Sequence, residues 1–299
     1  MIQTRYPTHP LFAALVALWL MADDLLIEPL KFWPLRSTMV HFSGVLVMGA
    51  MSVAIFLAAR PVRMESLFDG LDKTYRLHKW LGITALVVSV LHWWVGQGTK
   101  WMVGWGWLSR PARGPRPEGA NTDTVEAWLS SQRGLAESLG EWAFYAALVL
   151  MVLALVKRFP YHLFAKTHQW LAVAYLVLAF HTVVLLKFAY WTQPVGWLVA
   201  VLLAAGVFAS IWTLAGRIGA SRKVAGEIEA LCHYPDLDVL ESRVALKPGW
   251  PGHAAGQFAF VTSNPHEGAH PYTIASAWNP QQPHITFITK ALGDHTSRL

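Results

Sequence analysis

Apolar residues come in long runs through the first 214 positions of this chain and in short, interrupted runs after that. A helix needs about 20 apolar residues to cross a hydrocarbon core. Six stretches approach that length: Pro10 to Ile27, Val40 to Ala59, Leu77 to Gly96, Trp142 to Val156, His168 to Leu186 and Val195 to Leu214. The fourth is short and borrows its flanks. The first ends in Asp23 and Asp24, and it has neither a strongly basic start nor an A-x-A site, so it reads as a span and not as a cleaved signal peptide. Beyond Arg222, the segments Glu227 to Cys232, Val239 to Leu246, Gln257 to Thr262, Tyr272 to Ser276 and Ile285 to Lys290 are β-prone and separated by Pro-Gly, Asn-Pro and His-Pro turns. The pattern predicts an all-α six-helix membrane bundle over residues 1–215, followed by a small antiparallel β-barrel over residues 216–299.

Composition agrees with a membrane protein. The chain is 54% hydrophobic and 14% charged, where an average soluble domain is roughly 25% charged, and its mean hydropathy is +0.35. The single cysteine, Cys232, excludes an internal disulfide and a Cys-ligated iron–sulfur cluster. A pI of about 9.5 does not point to nucleic acid, because the basic residues gather in short loops. Arg60, Arg63, Lys73, Arg76 and Lys79 lie around the start of the third span, Lys157, Arg158 and Lys166 before the fifth, and Arg217, Arg222 and Lys223 after the sixth. The positive-inside rule makes those faces cytoplasmic, with both termini inside and the loop from Gln97 to Gly140 outside. The third and fifth spans then run parallel, in a membrane expected to be a bacterial inner (plasma) membrane. The tryptophans crowded between Trp93 and Trp107 read as an interfacial belt.

Candidate chemistry enters through four histidines inside the apolar runs: His78 and His92 on the third span, His168 and His181 on the fifth. An ionisable side chain in a membrane helix marks a functional site by default. Fourteen residues from His78 to His92 rise about 21 Å in just under four turns, so both rings share one face. The 13 residues from His168 to His181 rise about as far but leave the rings roughly 140° apart on an ideal helix, so a bend or twist, or hemes approached from different sides, must make up the difference. Parallel helices make His78 level with His168 and His92 level with His181. Two such pairs suit bis-imidazole ligation of two hemes stacked across the bilayer. His41 has no partner at its depth and reads as a pocket or structural histidine; His162 reads as solvated.

The chain resembles the ferric reductase / NADPH oxidase superfamily of membrane flavocytochromes. The resemblance rests on the His78–x13–His92 and His168–x12–His181 pairs and on His270-Pro271-Tyr272-Thr273-Ile274-Ala275-Ser276, which is similar to the family's His-Pro-Phe-Thr flavin motif. Gly256-Gln257-Phe258 resembles the strand before that motif. Lys290 with Gly293-Asp294-His295-Thr296 resembles the segment that meets the flavin pyrophosphate. The resemblance implies two heme b groups ligated by the four histidines and an FAD-binding barrel of the ferredoxin-reductase type. In it, Tyr272 would stack on the isoalloxazine and Thr273 would hydrogen-bond its edge, with His270, Pro271, Ser276, Lys290, Gly293, Asp294 and Thr296 nearby. Arg36 would match an arginine that members use at the outer heme.

Two departures qualify the resemblance. No glycine-rich nucleotide loop follows the barrel, so the NAD(P)H site is expected to lie outside this chain, either because the sequence is a fragment or because a separate reductase subunit delivers electrons. Gly96 stands where oxygen-reducing members carry a histidine, which weakens superoxide production as the reaction. The reading is a transmembrane oxidoreductase passing electrons from NAD(P)H through FAD and two hemes to an external acceptor, a ferric chelate or oxygen. Its partners are membrane lipid and that acceptor, with no role for nucleic acid. The alternatives are a heme-b subunit reduced by a separate flavoprotein or by quinol, and a proton-coupled transporter using the histidines as a relay.

Overall fold

Helices form wherever the apolar runs are long, and they continue into polar flanks that hydropathy does not mark. In this computed structural model the described residues are 8–23, 31–61, 71–110, 124–156, 158–254, 257–264, 268–291 and 296. The helices are α1 (Thr8–Leu20), α2 (Phe32–Ala58), α3 (Leu71–Gly104), α4 (Val125–Ser131), α5 (Arg133–Leu155), α6 (Tyr161–Gln169), α7 (Leu171–Leu185) and α8 (Pro194–Leu214). Among the described residues five helical segments are long and apolar enough to cross a membrane: α2, α3, α5, the α6–α7 stretch Leu163–Leu185, and α8. α1, the first of the six expected spans, has 13 residues, a rise of about 20 Å against a core of about 30 Å. The end of that expected span, from Asp24 on, lies outside the described residues.

α3 begins six residues before the expected span and ends eight after it. Asp72, Lys73 and Arg76 at one end and Gln97 to Lys100 at the other are compatible with helix but not with hydrocarbon. Hydropathy therefore measured the embedded length and not the helix. α2 packs along α3 and α8, and α5 packs along α7. One core joins Leu15, Trp19, Val45, Met48, Tyr175, Val199 and Leu203; a second joins Ala50, Ala54, Leu57 of α2 to Leu77, Leu81 and Ala85 of α3. The small residues at that second seam let the two helices approach closely, the usual device where lipid gives no hydrophobic drive between helices. The buried Tyr175 hydroxyl pairs with Ser52 Oγ at 2.7 Å, so neither is left unsatisfied.

The chain divides into two compact units, residues 1–159 with 163–218, and residues 160–162 with 219–299. The second holds β1 (Gly226–Tyr234), β2 (Val239–Leu246), β3 (Phe258–Val261), β4 (His270–Thr273) and β5 (His284–Lys290), close to the runs expected from alternation. All pairing is antiparallel: a sheet ordered β1-β2-β5 and a hairpin β3-β4, joined by one bridge between Ile274 and Phe287. Among the described residues these strands form two open sheets over a small core of Ile274, Ile285 and Phe287, not a closed barrel.

Candidate functional site

The first unit brings the four intramembrane histidines together in pairs. His78 and His168 face each other with ring centroids 5.9 Å apart and planes at 70°. At the other end of the same helices, His92 and His181 lie near enough for their charges to interact. The spacing of the first pair can be compared with what bis-imidazole ligation asks for. Two coordinate bonds of about 2 Å, plus about 1 Å from each nitrogen to its ring centre, come to about 6 Å. Among the described residues no cluster of three or more His, Cys, Asp or Glu could hold a bare metal ion. His41 also lies within electrostatic reach of His92, but its Nδ1 is held by Ser37 O; the two facing imidazoles at the His78 level fit the donor set of a macrocycle-held iron.

Hydrogen bonds fix which ring nitrogen is available. A carbonyl only accepts, so His78 Nδ1–H donates to Ala54 O at 2.8 Å and His181 Nδ1–H donates to Ala136 O at 2.8 Å. Ser43 Oγ–H is spent on the Met39 carbonyl at 2.7 Å, which leaves its oxygen to accept from His92 Nδ1–H at 3.0 Å. In these three residues the Nε2 lone pair remains for a metal, and the second partner orients the ring and raises its basicity. The Nδ1 of His168 is buried without a hydrogen-bond partner, and its ring is stacked on Phe164 at 4.9 Å. On α2, the acceptors Ser43 and Ala54 are 11 residues apart, a rise of about 16 Å, so the two levels are set by a helix other than the ones bearing the histidines.

The fifth span is not one continuous helix. The span is two helices meeting at Trp170, where Trp170 N–H reaches Thr167 O and Val173 N–H reaches Trp170 O, the tighter i→i−3 pattern. Glycines shape both ends. Gly140 lies against His181, where any Cβ would overlap the ring, and Gly44 lies against His92 at 3.4 Å from where a Cβ would be. Gly82 and Gly96, each four residues after a histidine of α3 and so on its face, have open space where a Cβ would stand. Residues missed from sequence are thus Ser43, Gly140 and the Ala54 and Ala136 carbonyls. Of these only Gly140 carried a signal, since a helix-interior glycine costs about 1 kcal/mol and asks for a packing reason.

Arg36 is half-buried on α2 and spans to α3. Its Nε donates to Thr99 Oγ1 at 2.6 Å and its Nη2 to Gly96 O at 3.1 Å, one to two turns beyond His92. His41 donates from Nδ1 to Ser37 O at 2.8 Å and lies edge-on to Tyr190 at 6.0 Å, so it is held within the bundle. The side chain of His162 lies outside the described residues.

In the second unit, β4 alternates: Pro271 and Thr273 are exposed while His270 and Tyr272 are half-buried. Tyr272 leans inward on Phe287, ring centroids 5.8 Å apart, so its ring is partly committed to the core and Thr273 is the freer of the two. Ser276 is half-buried, and its Oγ accepts from Thr286 N–H at 3.0 Å. Lys290 is exposed at the end of β5, and Thr296 is half-buried. Gly256, Gly293, Asp294 and His295 lie outside the described residues.

No curated protein matches the chain. Residues 43–179, just under half of it, match the family model described as ferric reductase like transmembrane component. That stretch contains Ser43, His78, His92 and His168 and ends two residues before His181. With five helical segments of membrane-spanning length and composition among the described residues, the chain is an integral membrane protein whose residues 43–179 are similar to the ferric reductase-like transmembrane component, a likeness that supports a membrane oxidoreductase.

Proposed function

We propose that this chain conducts electrons across a membrane through two b-type hemes, taking them from FAD on residues 216–299 and ultimately from NAD(P)H, and passing them to ferric iron or oxygen on the far side. The observation that carries this reading is the pairing of intramembrane imidazoles on two helices, three of them with Nδ1–H locked onto a second partner. Heme held between such pairs supplies reversible one-electron chemistry, at a potential tuned by axial ligand, burial and outer hydrogen bonds. His78 with His168, and His92 with His181, would hold the two hemes, one at each depth. The surrounding apolar helices exclude water, and the open faces beside Gly82 and Gly96 leave room for a flat group against α3. Arg36 places a cation at the His92 level that favours an anionic edge. In the second unit Thr273, Ser276 and Lys290 offer the polar contacts for flavin.

The full chain, purified in detergent, should contain two low-spin hemes by the pyridine hemochrome assay. His92→Ala or His181→Ala should each remove one heme, and His78→Ala or His168→Ala should each remove the other, distinguished by reduction potential. Fewer than two hemes in the intact protein would overturn the four-ligand assignment.

A further inference from the structure

The segment proposed to face the flavin is held from behind by a histidine that belongs to none of the motifs above. His253 lies in the loop between β2 and β3. Its Nδ1 accepts from Trp250 Nε1–H at 3.4 Å, so the ring proton sits on Nε2, which donates to the Ser276 carbonyl at 2.9 Å. Trp278 packs edge-on to the ring with centroids 5.6 Å apart, and Trp250 does so at 6.2 Å. The loop comes this close because residue 252 is glycine: its φ is +94°, and a Cβ there would lie 2.9 Å from the Trp278 indole.

Ladder pairing of β4 stops at Thr273, and only the single bridge at Ile274 continues it. What orients the next residues is therefore a short set of bonds. Ala275 N–H donates to Thr286 O at 2.9 Å, Thr286 N–H donates to Ser276 Oγ at 3.0 Å, and His253 takes the Ser276 carbonyl. Ser276 Oγ accepts in this arrangement, so its own proton is left to donate. The far end of the same loop is tied to the same segment. Gln257 Oε1 accepts from Ala254 N–H at 2.9 Å, and Gln257 O accepts from Ile274 N–H at 3.0 Å.

We infer that His253 is a positioning residue for the flavin: its Nε2–H fixes the Ser276 backbone and so aims the Ser276 hydroxyl at the cofactor. The inference rests on the reading that residues 216–299 hold FAD. Two substitutions separate positioning from bulk stability. His253→Gln keeps a side-chain N–H near Nε2 and gives up the ring; His253→Phe keeps the ring between the two tryptophans and gives up the donor. The full chain in detergent is titrated with FAD, following flavin fluorescence and visible circular dichroism, with thermal unfolding measured in parallel. His253→Phe should weaken FAD binding about tenfold and alter the flavin dichroism, the scale of one lost positioning hydrogen bond. His253→Gln should remain within about threefold of the parent, and the heme spectrum should not change in either. Wild-type affinity in both variants, or equal losses that follow only the unfolding temperature, would overturn the inference while leaving the flavin reading intact. Failure of the unaltered chain to bind FAD would overturn both.

Discussion

Gly140 is the tightest point at the His92–His181 end, and a single methyl group there tests the heme reading sharply. The residue sits on α5 one turn after Ala136, whose carbonyl accepts from His181. A Cβ at 140 would overlap Nδ1 of that ring and lie 2.6 and 2.7 Å from Cε1 and Cγ, where ordinary contact begins at 3.4 Å. In Gly140→Ala the ring must retreat by about 0.7 to 0.8 Å at those two atoms, and by more at Nδ1. A retreat of that size along the hydrogen bond takes 2.8 Å to about 3.6 Å, where no hydrogen bond remains. Outer partners of a ligating histidine are worth about 10- to 100-fold in metal affinity, or about 1.4 to 2.7 kcal/mol. Backbone propensity runs the other way, since alanine in a helix interior gains about 1 kcal/mol over glycine. The variant should therefore stay folded while its hemochrome content falls from two toward one, the surviving heme keeping its reduction potential. Gly98→Ala, whose Cβ would come no closer than 3.8 Å to Trp94, is the control and should keep both. Two hemes with unaltered spectra and potentials in Gly140→Ala would refute His181 as a ligand held by Ala136.

Ser43→Ala removes the hydroxyl partner of His92 Nδ1–H and leaves it the Val40 carbonyl, which should weaken heme retention at that level by up to about tenfold against an apo-globin competitor, with Ser43→Thr close to wild type; equal retention in the alanine variant would remove Ser43 from the site. Tyr190 lies between α7 and α8, fully buried, with its hydroxyl donating to Asp23. Burial first, then the hydrogen bond to Asp23 and its negative charge, hold the phenol above its usual pKa. The folded-state pKa thus exceeds the unfolded value of about 10, so this group adds no pH dependence below it, and stability falls as pH rises beyond it because only the unfolded chain ionises. Thermal unfolding between pH 9 and 11 should decline less steeply in Tyr190→Phe than in the parent, and parallel slopes would contradict the assignment.

Which parts of this molecule could be read from its residues follows from what each part depends on. Five spans were legible because hydrophobic length alone decides them. The strands of the second unit were legible because alternation and turn residues are local, and their observed ends differ by at most a few residues from the expected ones. Closure into a barrel depends on long-range pairing, and β1 and β3 have no second neighbour among the described residues. Tyr272 was expected to offer its ring to the flavin, but in a strand the face of one residue fixes the faces of all: with Ile274 in the core two residues on, Tyr272 must point the same way. Ala54 and Ala136 were invisible because their contribution is a carbonyl, which every residue has.

The fifth span shows why spacing alone left the ligand geometry open. A helix that offers a ligand at each of two depths must meet two angular demands at once. A continuous helix does so only when the spacing is near a whole number of turns, as with the 14 residues on α3. Thirteen residues miss by about 140°, and no rotation of a rigid rod corrects both ends. Either the span bends or twists between the ligands, or the two groups are approached from different sides. The span is interrupted beside His168, at Trp170, where i→i−3 bonds from Trp170 and Val173 enter the α-helical ladder. The tryptophan itself is 63% exposed and so packs little against the bundle. The interruption falls two residues after His168 and leaves α7 regular from Leu171 through His181, so the two imidazoles sit on separate helices and the angle read from one ideal helix does not carry over.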